Sequence, residues 1–480
     1  MIKRIYQYIT LAAIAISATS CGDDFLEKNP PLAVTEDDLY SSEELIDGAF
    51  RGVLGRFRSF GVDALIIGDN RSDDFVNYGM NTYYYSEVYN MNVGAASVVN
   101  PGYFQNGYLA VNAANVLKEN LENLSNLPIS EEKRQQYIAS ALFIRDISWY
   151  YLSQVYSQPY AYDRNSPAIP IHTEAVKGPG YNDAPLWTIG QIYDQILNDL
   201  SDKTIATLPA HSDKFDPTIP SQAAALTLRQ RIHMSRLEWD SAIADGEAIS
   251  GFTLSKSVAD MFDAPYYTNE NIFSLPSTNT ERGHNPVFYF SHEGGYIDTL
   301  NTRTGILTIE AYHLDTDTRT GFIVRDPKSL DVNGQPNKEV WYEKFNENSI
   351  RLEWSHVFRY AETLLNLSES YYNVGNEAKA AELLNTVRSR SIASGDILNV
   401  LSLRGDELRE AIYNERRAEF LGEGLRGYDI SRRAENYVHP LSTKTNGKWD
   451  VEVVATPADR STYAWALPEY ETQVNKQINN

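Results

Sequence analysis

One cysteine in 480 residues, Cys21, leaves no internal disulfide open to the monomer. Long apolar runs are just as scarce. Ile5–Ser17 is too short to cross ~30 Å of hydrocarbon at ~1.5 Å per residue, and nothing after Cys21 approaches a membrane span. Basic residues are outnumbered, with 42 Lys and Arg against 64 Asp and Glu and a formal charge of −22. That balance argues against a nucleic-acid partner, whose phosphates need neutralising. The eight histidines show no H-x-x-x-H spacing, and a single cysteine supplies no thiolate ligand set. Asp315-x-Asp317-x-Arg319 opens like a calcium loop, but Arg319 occupies its fifth position and Thr320 stands where the loop requires glycine. No G-x-S-x-G elbow or phosphate-binding glycine loop occurs. No metal and no cofactor is expected.

What is present begins with a leader. Lys3 and Arg4 precede the apolar run, and the small residues Ala18-Thr19-Ser20 lead directly into Cys21, as in a secretory signal. A lone cysteine in that place resembles a bacterial lipobox, although Ala18 stands where leucine is usual. Residues 1–20 are therefore expected to be a lipoprotein signal peptide and Cys21 the lipidated mature terminus, held firmly because each buried methylene contributes ~0.8 kcal/mol. Without Lys3 and Arg4 the mature charge becomes −24 (−22 less two). Asp23-Asp24 resembles the acidic export signals of surface-exposed lipoproteins.

Apolar residues then recur with a 3.6-residue period. The pattern predicts a helix around Glu43–Phe50 and others near 104–123, 130–156, 187–200, 221–235, 239–250, 352–373, 377–391 and 405–421. Within 361–387, Leu364, Leu367, Ser368 and Tyr371 precede a turn at Gly375, and Ala380, Leu384 and Val387 follow it. This matches a tetratricopeptide repeat, with a looser copy at 223–249 and a further helix pair at 104–156. Such units need neighbours to bury their faces. The expected fold is mainly α: tetratricopeptide-like helix pairs in an α-superhelical body with a long irregular, partly β, loop-rich insertion. One body should span 21–480, with repeats at about 40–250 and 352–433 and the insertion at about 251–350. The insertion holds β-like runs such as Val287–Phe290, and long irregular insertions tend to carry function.

Several segments in order resemble the SusD/RagB family of nutrient-binding outer-membrane lipoproteins. They are Cys21–Leu26 (CGDDFL), Ala141–Tyr160 and Arg359–Ala381 followed by Leu384–Arg388 (LNTVR), then Ala466–Glu469 with Asn475. The most specific is Glu415–Arg433, ERRAEFLGEGLRGYDISRR, similar to ER-x-x-E-x-x-x-E-G-x-R-x-x-D-x-x-R. Asp146 departs from the family's usual alanine. The carboxylates of this signature invite an acid–base reading. Glu415 and Glu419 lie one helical turn apart, however, where arginines can pair them, and Gly422, Gly424 and Gly427 are expected to end the helix and permit a tight turn. The resemblance implies that the segment defines the fold, and Asp317-x-Arg319 resembles a turn found in the family.

Recognition should then rest on rings. Thirty-two tyrosines accompany 7 Trp and 17 Phe, and seven tyrosines fall between Tyr78 and Tyr108. Tyr83-Tyr84-Tyr85 cannot all point inward on a helix or a strand. A flat ring matches the CH face of a sugar at small entropic cost, and Arg71, Asp73, Asp74 and Asn81 are candidate polar partners. Further candidates are Tyr266, Tyr267, Tyr296, Trp341 and Tyr342 in the insertion. The resemblance implies a surface lipoprotein, not an enzyme, that captures oligosaccharides for a SusC-like TonB-dependent outer-membrane transporter. Capture of peptides is the alternative. A carboxylate-based glycoside hydrolase is more distant, since no spacing fixes an acid pair.

Overall fold

The computed structural model describes residues 36–74, 86–178, 183–278, 280, 316–325, 340–342, 344–345, 352–392, 399–445 and 448–478. The chain divides into two units, residues 1–49 with 125–129, and residues 50–124 with 130–480. In the first, a short helix Glu36–Leu39 is followed by a turn in which Ser41 Oγ donates to Asp38 O at 2.6 Å.

The second unit is mainly helical. Its helices include α1 (Glu43–Asn70, from Phe50 onward), α2 (Val99–Asn123), α3 (Glu131–Tyr156), α4 (Ile189–Asp199), α5 (Gln222–Ser235), α6 (Trp239–Ala248), α7 (Tyr360–Asn373), α8 (Glu377–Ser391), α9 (Gly405–Phe420), α10 (Leu425–Arg432) and α11 (Glu469–Val474). Side-chain caps set several starts. Ser130 accepts from Lys133 N before α3, Thr188 and Gln191 form a capping box before α4, and Ser221 and Asn376 cap α5 and α8. The predicted helix pairs are present as α5/α6 and α7/α8, and α6 packs on both α5 and α7, as stacked repeats must. Ser368 and Ala380 are both fully buried, and Ser368 Oγ donates to Ala380 O at 2.7 Å, so the small residues do permit the expected close approach. Gly375 at the intervening turn has φ +82°, the left-handed conformation that glycine adopts without strain.

Four two-stranded antiparallel sheets complete the described residues: β1 (Pro167–Pro170) with β2 (Leu186–Thr188), β3 (Asn271–Leu275) with β6 (Ser355–Arg359), β4 (Ile323–Arg325) with β5 (Val340–Tyr342), and β7 (Tyr437–Thr445) with β8 (Lys448–Ala455). Every residue of β3 and β6 is buried, so β3, which falls within the predicted insertion, belongs to the core. The β-like run Val287–Phe290 lies outside the described residues.

Several boundaries differ from the sequence reading, and two of them most. Residues 352–359 are not helical: a loop leads into β6, and α7 starts only at Tyr360. The first helix does not stop near Phe50 but runs on to Asn70, with Phe50, Val53, Phe57, Phe60, Ala64 and Ile67 buried along one stripe. Gly427 also differs from expectation. Gly422 and Gly424 do take positive φ (80° and 79°), but Gly427 lies inside α10. Its role is contact: a Cβ there would stand 2.2 Å from Gly68 O, and one on Gly68 would stand 2.1 Å from Gly424 O. Backbone meets backbone where α1 crosses the start of α10.

Gly424→Ala is therefore expected to destabilise the protein by about 1–3 kcal/mol, combining overpacking with a positive φ. Gly102→Ala in α2, where a methyl meets nothing within 4 Å, should be neutral or stabilising by up to ~1 kcal/mol. Urea melts of the two variants check this, and equal effects would contradict it.

Candidate functional site

The signature segment builds a buried ionic lattice. Glu415 and Glu419 on α9 and Glu423 just beyond it project inward, and all three are at most 4% exposed. Their partners come from distant elements. Arg359, at the end of β6, donates to Glu423 Oε2 at 2.7 Å, to Glu270 Oε1 at 2.8 Å and to Glu419. Arg319 reaches Glu415 Oε1 at 2.7 Å and Glu419 Oε2 at 2.9 Å, while its other nitrogens hold Asp317. Arg388 pairs with Glu415, Arg390 with Glu270 and Glu419, and Lys344 with Glu423. The signature's own arginines turn elsewhere. Arg416 grips Asp429 through two bonds of 2.8 and 3.0 Å, and Arg432 grips Glu369 through two of 2.7 and 2.6 Å.

Burial alone would raise the carboxyl pKa values here, but the guanidinium groups outweigh it. Arg390, Arg359 and Arg319 hold Glu419 well below the usual glutamate range, and Arg359 with Lys344 holds Glu423 below it. Arg416 and Arg432 do the same for Asp429. These acids are engaged from several sides and serve as ion-pair partners. Asp317 too is bound to Arg319, and Asp315 lies outside the described residues. Among the described residues no cluster of His, Cys, Asp and Glu fits a metal ion.

Three of the candidate ligand contacts fall on this framework. Arg71 is 2% exposed, donates to the carbonyls of Gln154 and Tyr463 at 2.9 and 2.8 Å, and lies over the Tyr437 ring. Asp74 is 2% exposed and accepts from Arg417. Asp73, half-buried, takes two bonds of 2.7 and 3.0 Å from Arg426. In this structure the three tie the end of α1 to its surroundings, Asp73 and Asp74 to α9 and α10. Tyr89 and Tyr103 also turn inward, Tyr89 stacked on His439 and Tyr103 packed between Phe60 and Trp465. Tyr78, Asn81, Tyr83, Tyr84, Tyr85 and Tyr296 lie outside the described residues. Trp341 and Tyr342 lie on β5, paired with Val324 and Ile323.

An exposed aromatic pair does form. Tyr267 is 43% exposed, and its ring stacks on half-buried Trp354 with centroids 5.1 Å apart and an interplanar angle of 16°. Tyr266 beside it is half-buried with φ +68°. Sequence reasoning passes over Trp354 because 352–373 reads as one helix; a tryptophan beside the irregular insertion is the signal that could have found it.

Glu419→Ala should cost about 3–5 kcal/mol at pH 7, because three arginines lose a buried partner. Glu419, Glu423, Glu369 and Asp429 all have folded pKa values below the ordinary ones of 4.5 for glutamate and 3.8 for aspartate. Their contribution is complete above those ordinary values and is lost as pH falls below them. Denaturation of the wild type at successive pH values should show stability declining from about pH 5 downward, with a shallower decline in Glu419→Gln. Identical slopes would contradict the assignment.

The comparisons with known proteins agree with this architecture. The family model described as "SusD family" matches residues 244–480, and the one described as "Starch-binding associating with outer membrane" matches residues 24–234. A SusD-like protein of Formosa agariphila is 22% identical, with 89% of this chain and 90% of that protein covered. The crystal structure of a SusD superfamily protein from Bacteroides fragilis is 33% identical with a TM-score of 0.80, covering 92% of this chain and all of that one. Surface glycan-binding protein A from Bacteroides thetaiotaomicron, solved with laminarihexaose, shares the fold at a TM-score of 0.69 and 17% identity, with 91% of this chain and 98% of that one covered. With helix pairs, signature and ionic lattice in place, the chain belongs to the SusD family.

Proposed function

We propose that this chain is a surface lipoprotein, anchored through Cys21, that captures a neutral oligosaccharide and passes it to a SusC-like TonB-dependent transporter. The observation that carries the reading is the exposed Tyr267–Trp354 stack in a member of this family. A sugar ring can lay its CH face on such a surface while its hydroxyls bond to neighbouring polar groups. Tyr83, Tyr84, Tyr85, Tyr296, Trp341 and Tyr342 are proposed as further contacts. The ion-paired state of the signature carboxylates supports binding over catalysis, since a general acid needs a poised, accessible carboxyl. No helix among the described residues is long and apolar enough to cross a membrane, which is consistent with anchoring by lipid.

One observation favours peptides as ligand. A cleft of about 510 Å³ is lined by charged groups, among them Arg409, Glu410, Arg433 and Glu435, and a peptide's termini could pair with them.

Calorimetry with panels of neutral oligosaccharides and peptides separates the readings. Tyr267→Ala with Trp354→Ala should weaken oligosaccharide binding by roughly 1–3 kcal/mol and leave the melting temperature nearly unchanged. Affinity should vary little with salt, because exposed charges are screened beyond ~8 Å while ring stacking is not. Peptide binding with steep salt dependence would overturn the oligosaccharide reading. Independently, Cys21→Ala is expected to move the protein from the membrane fraction to the soluble one without altering its fold. Retention in the membrane after a high-salt wash would contradict the anchor.

A further inference from the structure

A second cleft, of about 460 Å³, opens between α2, the segment after β1 and α11. Its volume lies within the ~300–1,000 Å³ range of small-ligand sites. Its apolar wall is unusual for a surface. Leu109, Tyr470 and Val474 are 41%, 42% and 43% exposed on a single concavity. Behind them Phe104 meets Tyr470 edge-on at 6.2 Å and Tyr108 at 4.5 Å, and Tyr108 meets the His172 ring edge-on at 6.0 Å.

The walls are held in place before any ligand arrives. Asn112 clamps Val176 by accepting from its N–H at 2.7 Å and donating to its carbonyl at 3.1 Å. Asn115 donates to the carbonyls of His172 and Glu174 at 2.9 and 3.0 Å, and Asn475, after α11, donates to Ala184 O at 3.0 Å. Tyrosine clustering along the chain directs attention to the loops, yet these amides fix a rigid, aromatic-walled groove on helices. Preorganised walls lower the cost of ordering on binding.

The charge pattern selects the ligand. No lysine or arginine lines the cleft among the described residues, whereas Asp183 and Glu471 do. Both acids are engaged locally, Asp183 by Lys476 N at 3.2 Å and Glu471 by Asn475 Nδ2 at 2.9 Å. Among the described residues lining the cleft, a carboxylated or sulfated ligand would meet no cationic side chain. The groups placed to meet a ligand's hydroxyls are uncharged: the Gln105 amide, the Tyr470 hydroxyl and the His172 imidazole, which burial keeps neutral at neutral pH. An apolar face with neutral hydrogen-bonding groups at its edge matches a pyranose ring.

We infer that this cleft is a second carbohydrate subsite that takes a neutral sugar residue, with Tyr470 as the stacking surface and Gln105 and His172 as hydroxyl partners. It rests on the oligosaccharide reading above but on none of the residues that carry it, so the two can fail separately.

The test is calorimetric titration of the full mature chain with a ladder of neutral oligosaccharides, using Tyr470→Ala, Val474→Arg and Tyr267→Ala. The first two replace exposed side chains, and their melting temperatures verify folding. The wild type should show two classes of site. Tyr470→Ala and Val474→Arg should each weaken one class by about tenfold or abolish it, while Tyr267→Ala affects the other. A single class of site that both cleft variants leave unchanged overturns this inference and leaves the oligosaccharide reading standing. No binding of any neutral oligosaccharide to the wild type overturns both.

Discussion

Arg359 is a fully buried cation held by three acids from two segments far apart in sequence, Glu270 from the insertion and Glu419 and Glu423 from the signature. Placing a charge there is unfavourable unless every partner is in register. The arrangement therefore specifies where β6 ends, how α9 is rotated and where the chain between Glu270 and Arg359 must return. Arg319 and Arg390 extend the lattice to Asp317 and back to Glu270. A cluster of this kind yields a specific fold at some cost in stability, and it occupies carboxylates that would otherwise resemble an active site.

The glycine crossing is the complementary constraint. Gly68 on α1 and Gly424 and Gly427 around α10 let two backbones touch, and beside that contact Arg426 and Arg417 reach Asp73 and Asp74. The end of α1 is thus fixed by sterics and by charge together.

The helical repeats are legible in the sequence because a 3.6-residue apolar period, a positive-φ glycine and small residues at matched positions all signal the same thing. The run from Phe50 to Asn70 is harder to read. Gly52, Gly55, Gly61 and Gly68 interrupt helix propensity, and tertiary packing of the aromatic stripe outweighs them. The partners of Asp73 and Asp74 are hard to read for another reason. Partners of Asp73 and Asp74 lie 353 and 343 positions further along, and nothing local distinguishes a buried ion pair from a polar rim. Trp354 is hidden because the apolar pattern of α7 runs smoothly backward through β6.

Binding, on this account, is carried by rings displayed on a framework that the charges only hold in shape. Hydrogen–deuterium exchange with and without a saturating neutral oligosaccharide tests that division most directly. Ligand is expected to slow exchange around residues 262–271 and 352–355 while leaving α9 and α10 unchanged. Protection confined to α9 and α10 would place recognition in the ionic lattice and contradict the account.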